Sequence, residues 1–237
     1  MRTVDAYSDL VRMGKPILTT EDASVRLGMS PSGATRVLTR LATAGLAKRV
    51  FRGLWTIDMK VDPLAIPEHL TAPFPAYISF QSALYLQGLI SQIPQITYVA
   101  SLAPTRKVKT SMGTYSIHRL APEYFGGYRT AADSDVRLAT PEKALMDVLY
   151  LGNARSRLFA DLPELTLPGN FSEKEARRWV ERIRDPSRRT MVRVRLDRIL
   201  EEQAFGRRRS ADRSRPRSTN VRARVGNHAR LVAKRPK

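Results

Sequence analysis

The pattern of apolar and polar positions predicts three helices and a hairpin in the first 60 residues. A first helix is expected over residues 4–13, where the apolar positions are Val4, Leu10, Val11 and Met13. Thr19 with an acid three residues later, Asp22, resembles a capping box and predicts the start of a second helix that Gly28 ends. Ser30 and Pro31 are typical of the cap and first position of a third helix.

The third helix has two chemically distinct faces. Its apolar positions, spaced as on one side of a helix, are Ala34, Val37, Leu38 and Leu41. The opposite face carries hydroxyls and arginines without an acid, namely Ser32, Thr35, Arg36, Thr39, Arg40 and Thr43. Short hydroxyl side chains permit close approach to DNA, and arginine can bond guanine with two N–H groups. This face is typical of a helix that enters the major groove.

A basic hairpin is predicted after the third helix, with strands over residues 46–51 and 54–57 around an Arg52-Gly53 turn. Its basic residues are Lys48, Arg49 and Arg52. Helices, turn, basic helix and hairpin in this order indicate a winged helix-turn-helix DNA-binding domain over residues 1–60. A small helical domain that uses the same pieces to bind protein is the alternative.

A second domain is predicted over residues 73–205, after a linker at 61–72 that carries two prolines. Caps and apolar spacings favour helices after Ser79, after Thr140 and after Ser172, with a last helix over residues 187–203. Strands are expected over residues 96–100 and 136–139, and a hairpin at 106–118 presents a basic face of Arg106, Lys107 and Lys109. The fold class is therefore α+β, a winged head followed by a mixed helix and strand domain.

The whole chain has a formal net charge of +19, and most of this positive charge lies near its C-terminal end. Residues 206–237 hold 12 Lys and Arg against one acid, whereas residues 61–205 are nearly balanced. The last segment is rich in Arg, Ser and Pro and has no periodicity, which predicts a disordered basic tail. Two interpretations stay open, a mobile arm that contacts phosphates and a solvated extension without a role.

Several functional classes are disfavoured by the composition. No run of about 18 apolar residues is present and the first residues are charged, so we expect a cytoplasmic protein without a membrane segment. With no cysteine and three scattered histidines, His69, His118 and His228, neither a metal nor a cofactor is predicted.

The best candidates for a nuclease are Asp133, Asp135, Glu142 and Lys143, but Glu142 and Lys143 are adjacent at a helix start, where an acid needs no catalytic explanation. We therefore predict no enzyme.

Three segments carry a resemblance to a known family: residues 76–89 (AYISFQSALYLQGL), 93–95 (IPQ) and 136–147 (VRLATPEKALMD). Together they resemble the AbiEi-type antitoxins of type IV toxin–antitoxin systems, and the similarity extends over roughly residues 5–204.

The resemblance implies a bifunctional antitoxin. Its head would repress its own operon at an inverted-repeat operator in double-stranded DNA, where two heads read two half-sites and a dimer on DNA is expected. Its C-terminal domain would counteract a nucleotidyltransferase-like toxin without requiring a stable complex. The alternative is a ligand-responsive winged-helix transcriptional regulator without a toxin partner, and a nuclease comes third.

Overall fold

The N-terminal part of the chain is a winged helix-turn-helix. The computed structural model describes residues 2–57, 60–130, 135–152 and 164–213. The head consists of α1 (Thr3–Val11), β1 (Ile17–Thr19), α2 (Thr20–Leu27), α3 (Pro31–Thr43), β2 (Lys48–Phe51) and β3 (Leu54–Thr56). Its three strands form an antiparallel sheet in the order β1-β3-β2.

The helix caps of the head follow the sequence prediction. Thr19 and Asp22 form a reciprocal capping box, and Gly28 ends α2 in the left-handed region at φ 61°. The Ser30 hydroxyl accepts a hydrogen bond from the Gly33 N–H at the start of α3. All four residues predicted for the inner face of α3 are buried. These local signals therefore determine where the helices of the head begin and end.

The apolar face predicted for α1 is wrong in part. Val4 and Val11 are 69% and 48% exposed, because the face of α1 that is buried against the rest of the head carries Ala6 and Leu10. On α2, Val25 is 84% exposed. Strand β1 was not predicted, since three residues are too few to show a periodicity and the strand exists through its pairing with β3.

The segment predicted as a linker is packed structure. A 3-10 turn at Pro63–Ala65 leads into α4 (Ile66–Thr71), whose Ile66 and Leu70 are buried. The Tyr115 hydroxyl donates to the Pro63 carbonyl at 2.9 Å, so the sheet of the C-terminal part holds this segment in place. Prolines at the first turns of helices explain why the sequence had suggested a break.

The C-terminal part is built around a six-stranded mixed sheet in the order β6-β7-β5-β4-β9-β8. The strands are β4 (Ala76–Ile78), β5 (Thr97–Ser101), β6 (Arg106–Thr110), β7 (Gly113–Arg119), β8 (Tyr128–Thr130) and β9 (Arg137–Ala139). The helices are α5 (Phe80–Leu86), α6 (Pro141–Leu151), α7 (Glu173–Glu181) and α8 (Pro186–Arg213). In the described part of the chain, no helix is both long and apolar enough to cross a membrane.

The predicted α+β class is confirmed, with some changes of boundary. The hairpin, the central strands and the Thr140 cap of α6 follow the prediction, whereas β4 and β8 were not foreseen. Helix α8 begins at Pro186, one residue before the predicted start. Helix α8 continues to Arg213, inside the segment predicted as a disordered tail from residue 206, and residues 214–237 lie outside the described residues.

One apolar cluster joins the head to the C-terminal sheet. Ile17, Val50 and Leu54 of the head sheet pack with one face of the large sheet, which contributes Ile78, Val99, Val108, Tyr115 and Ile117, and with Ile66 and Leu70 of α4. At the edge strand β2, the Val50 carbonyl accepts a hydrogen bond from the Ser111 N–H at 3.1 Å. The C-terminal part therefore covers the inner side of the β2–β3 hairpin, which we call the wing.

The shared cluster predicts that a small change in the wing lowers the stability of the protein. Val50→Ala removes apolar contacts at a side chain that is 3% exposed, and should lower the free energy of unfolding by about 1 to 3 kcal/mol. Val25→Ala, in the same head but 84% exposed, is the matched control and should change it by less than about 0.5 kcal/mol. Equal effects in urea denaturation would show that the wing is not packed as described.

Candidate nucleic-acid interface

The outer face of α3 is a continuous exposed surface of hydroxyls and arginines. The six residues predicted for it, Ser32, Thr35, Arg36, Thr39, Arg40 and Thr43, are all exposed. Four inward residues fix the helix against the head, so the outer face is presented by a packed element and not by a loop. Such a rigid helix meets the geometric need of groove reading, which depends on side chains held in one register.

The threonines of α3 already use their hydroxyl protons within the helix. Thr35, Thr39 and Thr43 each donate to the carbonyl four residues earlier, at 2.9, 2.8 and 3.1 Å. Their oxygen lone pairs and methyl groups remain for the outside. A thymine methyl can pack against such a methyl group, and the amino groups of adenine and cytosine can donate to such an oxygen.

The two arginines of this face have their charges available. Among the described residues, neither Arg36 nor Arg40 forms an ion pair with a carboxylate, and the two lie one turn apart. The first turn of α3 contains no acid that would compensate the positive end of the helix dipole. Both features favour a negatively charged partner along α3 and at its start.

The wing is short, and hydrogen bonds fix both its turn and its strand β2. The Gly53 carbonyl of its turn accepts a hydrogen bond from Thr20 N–H at 2.9 Å, and Ser111 bonds strand β2. The predicted basic residues Lys48, Arg49 and Arg52 are exposed, with the Arg49 guanidinium 5.6 Å from the centre of the Trp55 ring. The wing therefore presents three exposed cations but does not form a long arm.

The three basic residues predicted for the C-terminal hairpin do not share one face. Val108 lies in the shared cluster, and side chains alternate along a strand, so Lys107 and Lys109 lie on the opposite face of the sheet. The guanidinium of Arg106 donates to the Leu70 carbonyl at the end of α4. Lys107 and Lys109 are exposed cations. Arg106 instead fixes the end of α4, in the segment that was predicted as a linker, against the sheet.

A buried charge pair that the sequence reasoning did not identify lies at the centre of the C-terminal part. Lys143 Nζ lies 2.6 Å from Asp147 Oδ1, and both side chains are fully buried. The hydroxyls of Ser79 and Tyr77 donate to Asp147 Oδ2 at 2.6 and 3.0 Å. Burial lowers the pKa of Lys143 and raises that of Asp147, although their mutual attraction opposes both shifts. The pair thus connects β4 to α6.

The signal for this pair was present in α6 itself. Apart from Glu142, Lys143 and Asp147, the positions of α6 are apolar. A helix that is apolar on all sides is buried. Two opposite charges four residues apart resemble an ordinary surface pair, which is how such a spacing is usually interpreted. The burial of the whole helix, not the spacing, shows that this pair belongs to the core.

The residues considered for a nuclease have structural bonds or lie apart. Glu142 is 7% exposed and its carboxylate accepts the Ser172 N–H at 2.8 Å, which fastens the start of α7 to α6. Lys143 is bound to Asp147, Asp135 is exposed, and Asp133 lies outside the described residues. Across the described ranges, no group of three or more His, Asp or Glu side chains could hold a metal ion.

The fold of the head is that of a winged-helix domain, and the outer face of its α3 is basic and free of acids. Residues 5–57 match the model of the family described as "Transcriptional regulator, AbiEi antitoxin". This match confirms, for the head, the resemblance inferred from the sequence. The C-terminal segments that carried that resemblance, at residues 76–147, lie outside the match. No curated protein matches the chain.

The buried pair predicts a large loss of stability when one partner is removed. Asp147→Ala leaves the Lys143 ammonium uncompensated in the core and should cost about 3 to 5 kcal/mol of unfolding free energy. The pair Arg198–Glu202 has the same four-residue spacing on an exposed helix face, so Glu202→Ala should cost less than about 0.5 kcal/mol. Thermal and urea unfolding measure both variants. A loss below about 1 kcal/mol for Asp147→Ala would contradict the described burial.

Proposed function

We propose that this chain is the antitoxin of a type IV toxin–antitoxin system, which represses its own operon and counteracts a nucleotidyltransferase-like toxin. The observation that carries the proposal is the exposed, acid-free face of α3 on a head that matches the AbiEi antitoxin regulators. In this proposal the head binds the operator and residues 73–205 supply the antitoxin activity in the cytoplasm.

Helix α3 is the reading element of the proposed complex. Arg36 and Arg40 reach guanine edges or the phosphates beside them, while Ser32, Thr35, Thr39 and Thr43 line the groove at short range. Lys48, Arg49 and Arg52 of the tied wing contact the phosphate backbone. An inverted repeat supplies two half-sites and takes two copies of the chain, so the protein is a dimer on DNA.

The C-terminal end adds attraction without sequence preference. Residues 214–237 contain eight Lys and Arg and no acid. Contacts of this kind strengthen binding to any nucleic acid and weaken steeply as salt increases.

The antitoxin activity is assigned to the C-terminal part because it has its own sheet, helices and buried charge pair. Antagonism acts on the toxin or on its substrate and does not require a stable complex. Lys107 and Lys109 form the exposed basic face of this part, without Arg106.

A ligand-responsive regulator without a toxin is the alternative, and it would require a pocket for an inducer. A cleft of about 430 Å³ lies between α4 and the β8–β9 edge of the sheet. The Glu68–Arg137 ion pair, with an N–O distance of 2.8 Å, lies in its lining beside His69 and Asp135. A cleft so rich in charge does not suit an apolar ligand, so this alternative is the weaker one.

Substitution of the α3 arginines tests the DNA-binding proposal. Arg36→Ala and Arg40→Ala should each weaken operator binding by about 1 to 3 kcal/mol, which is roughly 5- to 150-fold. Loss of a base contact lowers affinity for the operator alone, whereas loss of a phosphate contact lowers affinity for random DNA as well. Electrophoretic mobility shift on both DNAs separates the two cases.

The matched control is Arg198→Ala, which removes an arginine of equal charge from α8, where it is 80% exposed. It should leave the preference for operator over random DNA unchanged. Unchanged binding of both DNAs by the Arg36→Ala and Arg40→Ala variants would remove α3 from the interface, and the proposed repression would have no reading element.

A further inference from the structure

A row of cations and aromatic rings crosses the helical side of the C-terminal part. It consists, in order, of Arg182, Trp179, Lys143, Tyr124, Tyr150 and Arg188. The Lys143 ammonium lies 4.1 Å from the centre of the Trp179 ring and 3.8 Å from that of Tyr124. The rings of Tyr124 and Tyr150 stack at 4.1 Å. The row therefore continues from the buried charge pair towards the surface in both directions.

The two ends of the row are exposed guanidinium groups. The carbon of the Arg182 guanidinium lies 4.3 Å from the centre of the Trp179 ring, and that of Arg188 lies 4.9 Å from the centre of the Tyr150 ring. Trp179 is only 4% exposed, whereas both arginines are exposed. Within the described ranges neither arginine has an ion-pair partner, so their charges face solvent.

The turn between α7 and α8 holds these arginines in place. Arg189 donates to the carbonyls of Ile183 and Arg184 at 2.8 and 3.2 Å, and the Asp185 carboxylate accepts the Arg188 N–H at 2.6 Å. Arg184, 81% exposed, adds a third guanidinium beside Glu123. We call Arg182, Arg184 and Arg188 the arginine corner.

The density of charge around the corner is high. Residues 177–198 contain nine arginines and three acids, and five of these arginines form ion pairs: Arg177, Arg178, Arg184, Arg193 and Arg198. This part of the chain packs on α6, whereas α3 packs on α1 and α2, so the corner belongs to a different part of the fold from the DNA-reading helix. A cationic surface of this kind attracts a polyanion.

The aromatic backing indicates which polyanion fits. An arginine that rests on a ring has one side of its guanidinium covered and the other free to stack with an unpaired base. Its N–H edge can bond a phosphate at the same time. A duplex offers no free base face for such stacking, because its bases are already stacked on one another. We propose that the arginine corner binds a single-stranded nucleic acid, independently of operator recognition by α3.

The test compares full-length variants in binding a fluorescein-labelled single-stranded RNA of about 12 nucleotides, by anisotropy at several salt concentrations. Arg182→Gln with Arg188→Gln should lower affinity at least about tenfold and reduce the salt slope by about 1.4, since two phosphate contacts are lost. Arg182→Lys with Arg188→Lys should retain the slope but still lose affinity, because lysine keeps the charge and lacks the flat group.

The control is Arg177→Gln with Arg198→Gln, which removes the same charge from α7 and α8 at positions paired with Asp197 and Glu202. It should change RNA affinity less than about twofold. If control and corner variants lose affinity equally, or the corner variants lose none, the proposal is wrong. An equal loss of random duplex DNA binding would also overturn it, since the corner would then be a general polyanion surface.

Trp179 provides a second measurement that needs no change in the corner. In Trp55→Phe protein it is the only tryptophan, because the chain has two. Addition of the RNA should shift or quench its emission, since the RNA would displace water from Arg182 above the ring. Saturation of the anisotropy signal without any change in Trp179 emission would contradict the proposed site, even if an arginine variant failed to fold.

Discussion

The packing of the head sheet on the C-terminal sheet is the contact on which the rest of the architecture depends. Ile17, Val50 and Leu54 lie in one apolar cluster with residues of β5, β6 and β7. Burial of apolar area contributes about 25 cal/mol per Å², so separation of the two parts would expose a surface of considerable cost. The head and the C-terminal part are therefore joined by more than a chain connection.

This contact limits how the head could meet DNA in the proposed complex. With the inner side of the wing covered and its turn bonded to Thr20, the wing cannot extend as an independent arm. In the proposed complex the reading role then falls to α3, whose outer face is exposed. Because the head is fixed to the C-terminal part, binding of two heads to an inverted repeat would also place two C-terminal parts in a defined arrangement.

A second constraint organises the C-terminal part from within. The Lys143–Asp147 pair joins α6 to β4 through the hydroxyls of Tyr77 and Ser79, and Lys143 also lies between two rings. Gly127 permits this packing, since a Cβ there would lie 2.5 Å from Trp179 Cζ2 and 2.9 Å from Lys143 Cγ. Several residues of the segments that resemble AbiEi antitoxins, at 76–89 and 136–147, are therefore part of the core.

Sequence reasoning succeeded where the physics is local. The caps at Thr19, Ser30 and Thr140 and the inner face of α3 depend on residues within one or two turns, and all were predicted. It failed where tertiary packing decides. The prolines of residues 61–72 suggested a linker, yet Ile66 and Leu70 are buried by strands distant in sequence.

The candidate interface shows the same division. The composition of the α3 face was evident from one helix, whereas the hydrogen bond from Arg106 to the Leu70 carbonyl joins two elements that are distant in sequence. The cation–aromatic row combines residues from 124 to 188 and has no signature in any single segment.

The most direct test of the account is a separation of repression from toxin protection in the intact chain, since cutting at the former linker would open the shared cluster. The protein with both Arg36→Ala and Arg40→Ala should lose repression of a reporter under its own operator. It should still restore growth of cells that express the proposed nucleotidyltransferase-like toxin from an unrelated promoter. Loss of both activities by a variant that remains folded would contradict the assignment of DNA reading to α3 and of antitoxin activity to the C-terminal part.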